Sequence, residues 1–271
     1  MPRLIQRGLV KPMRLLDFVL AEAAYGLRAM RRDWSGPLVR VRRSSDNAER
    51  DIGPDYLGRL DVAGLLAFVG AGDGFVPVWY DQSGNRRNAT RTLTTEQPRI
   101  VNAGVLETLN GRPALRVNNT PMQIGAAGIL VPSMNAVLNT DPAVPAVGAL
   151  ISANSDNSIR RTITPGLGWR ANDTSDHVFP ANSVFINGAN ASATLDGAAG
   201  ATNSTGVNTV FTAINGQTAN AMTWLFRNVP NPARFYVGHV AEVVLFGGNL
   251  TTAERQAIER NQGAHFGISI S

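Results

Sequence analysis

Trp79-Tyr80-Asp81-Gln82-Ser83-Gly84-Asn85 is the stretch on which the reading of this chain turns. Two aromatics run into an acid, an amide and a Ser-Gly-Asn turn. Two readings are open. In the first, Trp79 or Tyr80 stacks on a sugar, while Asp81, Gln82 and Asn85 supply hydrogen bonds. In the second, Trp79 packs between a sheet and a flanking helix, Asp81 binds turn amides or an arginine, and Gly84 admits a backbone angle that other residues resist. A tryptophan on an alternating strand beside a core helix needs no open face, which favours the structural reading.

Upstream, residues 1–12 read as a basic arm, with Arg3, Arg7 and Lys11, joined by Arg14, as candidate assembly contacts. Residues 13–33 carry an apolar stripe at Leu16, Leu20, Ala24, Leu27 and Met30, which predicts a helix that Trp34-Ser35-Gly36-Pro37 stops. The stretch 38–53 predicts a strand and a turn. Arg40, Arg42 and Arg43 face two readings there. They are an anionic-ligand patch, or they pair with acids such as Asp46 and Asp81 in a charge network that anchors loops. Asp61 is placed to cap a short helix ending near Gly70. Pro77 argues that the following strand lies at an edge or starts late.

Downstream, Asn110-Gly111 and Asn187-Gly188 are hairpin-turn signals. Short strand patterns follow at AVGALIS, RRTITPGLGW, NTVFTAING, AMTWLFRN and RFYVGHVAEVVLFGG. Thr251 or Thr252 can cap a final helix, with Glu254 in its first turn. Many β segments with turn-rich connections predict an antiparallel sandwich over residues 13–271, and no phosphate-binding glycine loop follows a strand.

Composition fits that class. Only 17% of the 271 residues are charged, glycine (27) and proline (15) are abundant, and cysteine is absent. Thiolate catalysis, disulfides and cysteine-held metals are therefore excluded. The three histidines, His177, His239 and His265, have no metal-ligand spacing. The formal charge of +5 resides in the N-terminal fifth, and 24 of the 25 basic residues are arginines. No nucleic-acid recognition motif accompanies it, so direct nucleic-acid binding is not expected. No apolar run reaches the length of a membrane span, so no membrane insertion is expected, and no cofactor or metal is implied.

Taken together, AYGLRAMRRDWSGPLVRVRRSSDNAERDIG, WYDQSGNRRNAT, QPRIVNAGV and NGRPALRV resemble the arabinofuranosidase-B-like domain. The C-terminal GHVAEVVLFGGNLTTAERQAIERNQGAHFG resembles the closing strand and helix of laminin-G-like jelly rolls. The resemblance implies a mainly β, concanavalin A-like jelly-roll sandwich with an N-terminal helix and a short C-terminal helix. Similar patterns occur in bacteriophage virion and tail-associated proteins. It thus implies a non-enzymatic virion structural protein, a capsid decoration or minor particle component, located in the virion. Other virion proteins and further copies of the chain would be its partners. The alternatives are a tail-associated carbohydrate-binding adhesion protein, with a cell-surface glycan as partner, and an arabinofuranosidase-like glycoside hydrolase.

The hydrolase alternative needs two carboxyl groups across a pocket. The resemblance places them in the central and later sheet segments, where Asp141, Asp156, Asp173, Asp176, Asp196 and Glu242 are available. Asp173 and Asp176 flank a segment beside His177 that reads as a polar pocket or an exposed turn loop. Glu242 reads as an outward residue, a buried partner of an arginine, or an acid facing a groove. None matches the family's catalytic surroundings residue by residue, so no catalytic residue is assigned. The family's pair of adjacent cysteines beneath the sugar has no counterpart in this cysteine-free chain.

Overall fold

The computed structural model describes residues 13–125, 127–141, 147–153, 158–162, 169–171, 183–191, 206–214, 221–227 and 233–271. Arg3, Arg7, Lys11, Asp156, Asp173, Asp176, His177 and Asp196 lie outside them. The strands are β1 (Ala23–Gly26), β2 (Val39–Arg43), β3 (Glu49–Ile52), β4 (Gly74–Trp79), β5 (Ala89–Thr90), β6 (Arg99–Asn102) and β7 (Val105–Leu106). They continue with β8 (Thr108–Leu109), β9 (Arg112–Pro113), β10 (Leu115–Asn118), β11 (Met122–Ile124), β12 (Ser133–Thr140), β13 (Val147–Ala153) and β14 (Ser158–Thr162). Last come β15 (Trp169–Ala171), β16 (Val184–Ile186), β17 (Ala189–Asn190), β18 (Asn208–Ile214), β19 (Met222–Leu225) and β20 (Val237–Phe246). Two α-helices, α1 (Val62–Val69) and α2 (Thr252–Phe266), and two short 3-10 turns, Leu15–Asp17 and Thr94–Glu96, complete the described elements.

The strands form two antiparallel layers. In the first, β20 pairs with β12 along one edge and with β10 and then β1 along the other. β12 leads on to β18, β16 and β17. The second layer runs β3, β2, β4, β5, β11, β19, β13, β14, β15. Strand β6 pairs with both β4 and β10 and joins the layers at one side. This is the expected β-sandwich.

Alternating residues of both layers fill the space between them, including Val39, Val41, Val76, Leu115, Val117, Leu138, Val240 and Val243. Burial of such side chains contributes about 1.5–3 kcal/mol each before ordering entropy is subtracted. A second apolar layer lies on the outer face of the first sheet, where Ile258 and Phe266 of α2 cover Val244, Phe246 and Ala241. A bulge organises the boundary. Val137 faces Glu242 and Leu138 faces Val240, so Ala241 has no partner of its own. Val240 and Val243 consequently point into the sandwich, while Ala241 and Glu242 both turn outward beneath α2.

Local chemistry explains the helix ends and hairpins. Asp61 caps α1 by accepting the Gly64 amide at 3.0 Å. Thr251 and Glu254 form a reciprocal capping box at the start of α2. Asn110 and Gly111, at φ 50° and 72°, make the two-residue turn between β8 and β9. Such turns need positive φ at both central positions.

The expected helix over 13–33 is not formed. That segment holds one short 3-10 turn, Leu15–Asp17, followed by β1. Its apolar stripe is real, but all four residues of β1 are buried, which suits a strand covered on both faces rather than an amphipathic helix. Pro77 is also not at an edge, because β4 lies between β2 on one side and β5 and β6 on the other. The ladder accommodates it at an irregularity: Arg40 faces Val78 and Arg42 faces Phe75, leaving Val76 and Pro77 opposite Val41 alone.

Candidate functional site

The WYDQSGN segment leaves β4 and runs along the edge of β1. Trp79 is fully buried, with Tyr25 and Phe226 at ring-centroid distances of 5.7 and 6.4 Å. Its rings pack on Tyr25 of the opposite layer and on Phe226 beside β19, and at 0% exposure neither face is open to a sugar. Asp81 accepts the amides of Ala24 (2.9 Å), Ser83 (2.8 Å) and Arg87 (3.0 Å) and the Ser83 hydroxyl (2.8 Å). Gln82, also buried, accepts the Met30 amide and donates to the carbonyls of Gly26 and Arg28. Asn85 donates to the carbonyls of Ala21 and Glu22.

These side chains do along β1 what a neighbouring strand would do. They satisfy the backbone groups of residues 21–30 that β20 leaves unpaired. That is the physical reason the 13–33 segment is extended: its hydrogen bonds are made to the motif and to β20. Tyr80 donates its hydroxyl to Asp51 at 2.8 Å, and burial followed by that bond pushes it up to about 12. Of the five expected sugar contacts, only Tyr80 and Asn85 reach solvent, and the Tyr80 hydroxyl and the Asn85 Nδ2 already have protein partners.

The expected charge network around Arg40, Arg42 and Arg43 resolves into separate contacts. Arg40 pairs with Asp51, and Arg43 with Asp46, which the ion pair and the Ala48 amide hold at about 2. Arg42 is buried among neutral acceptors, Gln97, Asn47 and the Thr94 carbonyl, and lies over the Phe75 ring. Asp81 belongs to none of these; its partners are backbone amides and Ser83. Arg14 is likewise folded onto the domain, donating to the carbonyls of Ala29 and Leu57.

Two of the candidate acids can be placed. Asp141 pairs with Arg116 at 2.8 Å. Glu242 is fully buried, accepts Arg28 Nε at 2.5 Å and Gln262 Nε2 at 3.1 Å, and faces α2 rather than a groove. It is a buried partner of an arginine, placed there by the adjacent bulge.

A cleft of about 410 Å³ opens where the end of β1, the 55–63 segment, the β8–β9 hairpin and the end of α2 meet. Arg28, Arg59 and Arg112 line it, with Asp55 and Asp61, and Leu27, Leu60, Leu106 and Pro113 supply apolar wall. Arg28 and Arg59 face each other across an isolated antiparallel bridge. Asp55 holds Arg59 at 2.8 Å. Burial pushes the Asp55 carboxyl up, but the Arg59 amide, the Arg59 guanidinium and the Leu57 amide together leave it below its ordinary value. His265 also lines the cleft. Burial first, then Arg28, Arg112 and Arg14, bring its imidazole down to about 3.

Sequence reading singled out none of these cleft residues as a site. They come from four separated segments, and no local spacing relates them. The one usable signal was the Asn110-Gly111 turn, which projects Arg112 from a defined hairpin.

The comparisons with known proteins agree with this architecture. The chain shares its fold with the GH54 arabinofuranosidases. One solved structure, a GH54 α-L-arabinofuranosidase soaked with a cyclic sulfate inhibitor, matches with a TM-score of 0.53 at 17% identity. Another, a GH54 mutant soaked with 4-nitrophenyl α-L-arabinofuranoside, matches with a TM-score of 0.54 at 15% identity. In each case the match covers 89% of this chain and 62% of the neighbour, so the chain spans under two thirds of the enzymes' length. Neither a family model nor a curated protein matches the sequence. The neighbours are glycoside hydrolases, which corrects the expected non-enzymatic virion role.

Proposed function

We propose that this chain is a glycoside hydrolase of the arabinofuranosidase type, acting on arabinofuranosyl-bearing glycans. The observation that carries the reading is the likeness of the sandwich, over 89% of the chain, to two GH54 arabinofuranosidases. Hydrolysis requires one carboxyl group to protonate the leaving oxygen and a second to act as nucleophile or to activate water. Asp141 and Glu242 are held by Arg116 and Arg28, and Asp55 and Asp61 by a turn and a helix cap. The acids that remain for this chemistry among those named from the sequence are Asp156, Asp173, Asp176 and Asp196.

The test is release of 4-nitrophenolate from 4-nitrophenyl α-L-arabinofuranoside by the full chain. Turnover that falls at least about a hundredfold in one of the four Asp→Asn variants is the expected result. No release at micromolar protein, in a chain shown to be folded, overturns the reading. A second reading, arabinofuranoside binding without cleavage, is favoured by one observation: with no cysteine, the chain lacks the cysteine pair that the resembled family places beneath the sugar. Retention on immobilised arabinan without product release would select it.

A further inference from the structure

The arginines of the cleft are arranged at a cost. Like charges directly opposite on antiparallel strands repel, yet Arg28 and Arg59 occupy such a pair. Each carries a carboxylate that offsets it: Glu242 for Arg28 and Asp55 for Arg59. Arg112 has none among the described residues. Its Nε donates to the His265 carbonyl at 3.0 Å, which fixes the guanidinium at the cleft while leaving Nη1 and Nη2 without partners among the described residues. Arg28 Nη1 is also without a hydrogen-bond partner among the described residues, since Nε and Nη2 go to Glu242 and Asn261. The remaining carboxylate lining the cleft, Asp61, lies at the N-terminus of α1, where it accepts the Gly64 amide and the helix dipole favours it. The cleft therefore holds one guanidinium with no ion-pair partner among the described residues, on a planar fork anchored at its base.

We propose that this cleft binds an acidic sugar, with the carboxylate of a uronic acid residue seated on Arg112. A planar guanidinium with two free donors matches a carboxylate in bidentate geometry. One guanidinium without an ion-pair partner matches a single carboxylate. The cleft's volume is that of a small-ligand site. Leu60 and Pro113 offer apolar wall to the C–H face of a pyranose. His265 is neutral in this setting and adds no charge of its own. The choice of a sugar as ligand rests on the glycan-directed function proposed above; the anion preference rests on the cleft alone.

Calorimetric titration of the full chain with glucuronate, glucose and acetate tests this. Glucuronate is expected to bind at least about tenfold more tightly than either glucose or acetate, and R112Q to weaken it at least tenfold, with R112K between the two. Binding of glucuronate to the parent chain should also weaken as salt is raised from 50 to 500 mM, a measurement that needs no variant. Glucuronate binding no tighter than glucose overturns the proposal. So does acetate binding equal to glucuronate, which marks a general anion site, or an unchanged affinity in folded R112Q. Arabinofuranoside turnover is measured on the same preparation. A chain that hydrolyses the arabinofuranoside but ignores glucuronate overturns this inference alone, and one that binds glucuronate without hydrolysis overturns the hydrolase reading alone.

Discussion

The Asp81 carboxylate accepts the Ala24 backbone amide at 2.9 Å, and the Ala24 carbonyl in turn accepts the Gln82 amide at 2.8 Å. A side chain and a backbone group of one loop thus close both hydrogen-bonding groups of a residue at the centre of β1. Replacing Asp81 by Ala leaves the buried amide of Ala24 and the half-buried amides of Ser83 and Arg87 without this acceptor, and an unmet buried donor costs about 1–3 kcal/mol. D81A is expected to lose about 3 kcal/mol or more in urea unfolding. D81N, which turns an NH2 group toward amide donors, should also be destabilised despite its matching shape.

Trp79 and Tyr80 should separate cleanly. W79A empties the inter-layer space between Tyr25 and Phe226 and is expected to cost about 3–5 kcal/mol. Y80F removes only the bond to Asp51 at a half-buried position and should cost about 1 kcal/mol or less. Equal losses in denaturant unfolding would contradict the packing described for Trp79.

The Arg28–Glu242 pair links the strand end, the bulge of β20 and α2. Removing one partner from a buried ion pair leaves the other charge uncompensated, at about 3–5 kcal/mol. E242Q is expected to fall in that range. The double replacement R28M/E242L should recover most of the loss, as measured by the coupling in a double-mutant unfolding cycle.

His265 predicts a pH dependence. Its folded value of about 3 lies below the ordinary imidazole value of 6.5, so the unfolded chain takes up the proton first. The contribution from the neutral ring is complete above about pH 6.5 and is lost as pH falls toward 3. Solvent at the cleft mouth reduces its size, and a loss on the order of 2 kcal/mol between pH 6.5 and 4 is expected. H265Q should flatten the unfolding free energy over that window; an unchanged slope would contradict the neutral, arginine-flanked imidazole.

Several elements were legible in the sequence because their causes are local. The Asn-Gly turns, the Asp61 cap and the Thr251–Glu254 capping box each depend on residues within four positions of one another. The strand patterns at β18, β19 and β20 were legible from the sequence as well. The 13–33 segment was not, since its apolar spacing suits a helix, and what decides against it is hydrogen bonding to Asp81, Gln82 and Asn85 more than fifty residues away.

The sequence by itself thus determined the class of fold, the turn and cap positions, and the exclusion of cysteine chemistry. Only the tertiary structure decided what the polar groups do. The bulge at Ala241 turns Glu242 away from the sandwich and onto Arg28. The approach of four separate segments leaves Arg112 as a cation without a carboxylate among the described residues. Charge compensation and backbone satisfaction are set by which distant groups meet, and spacing along a chain carries no record of that.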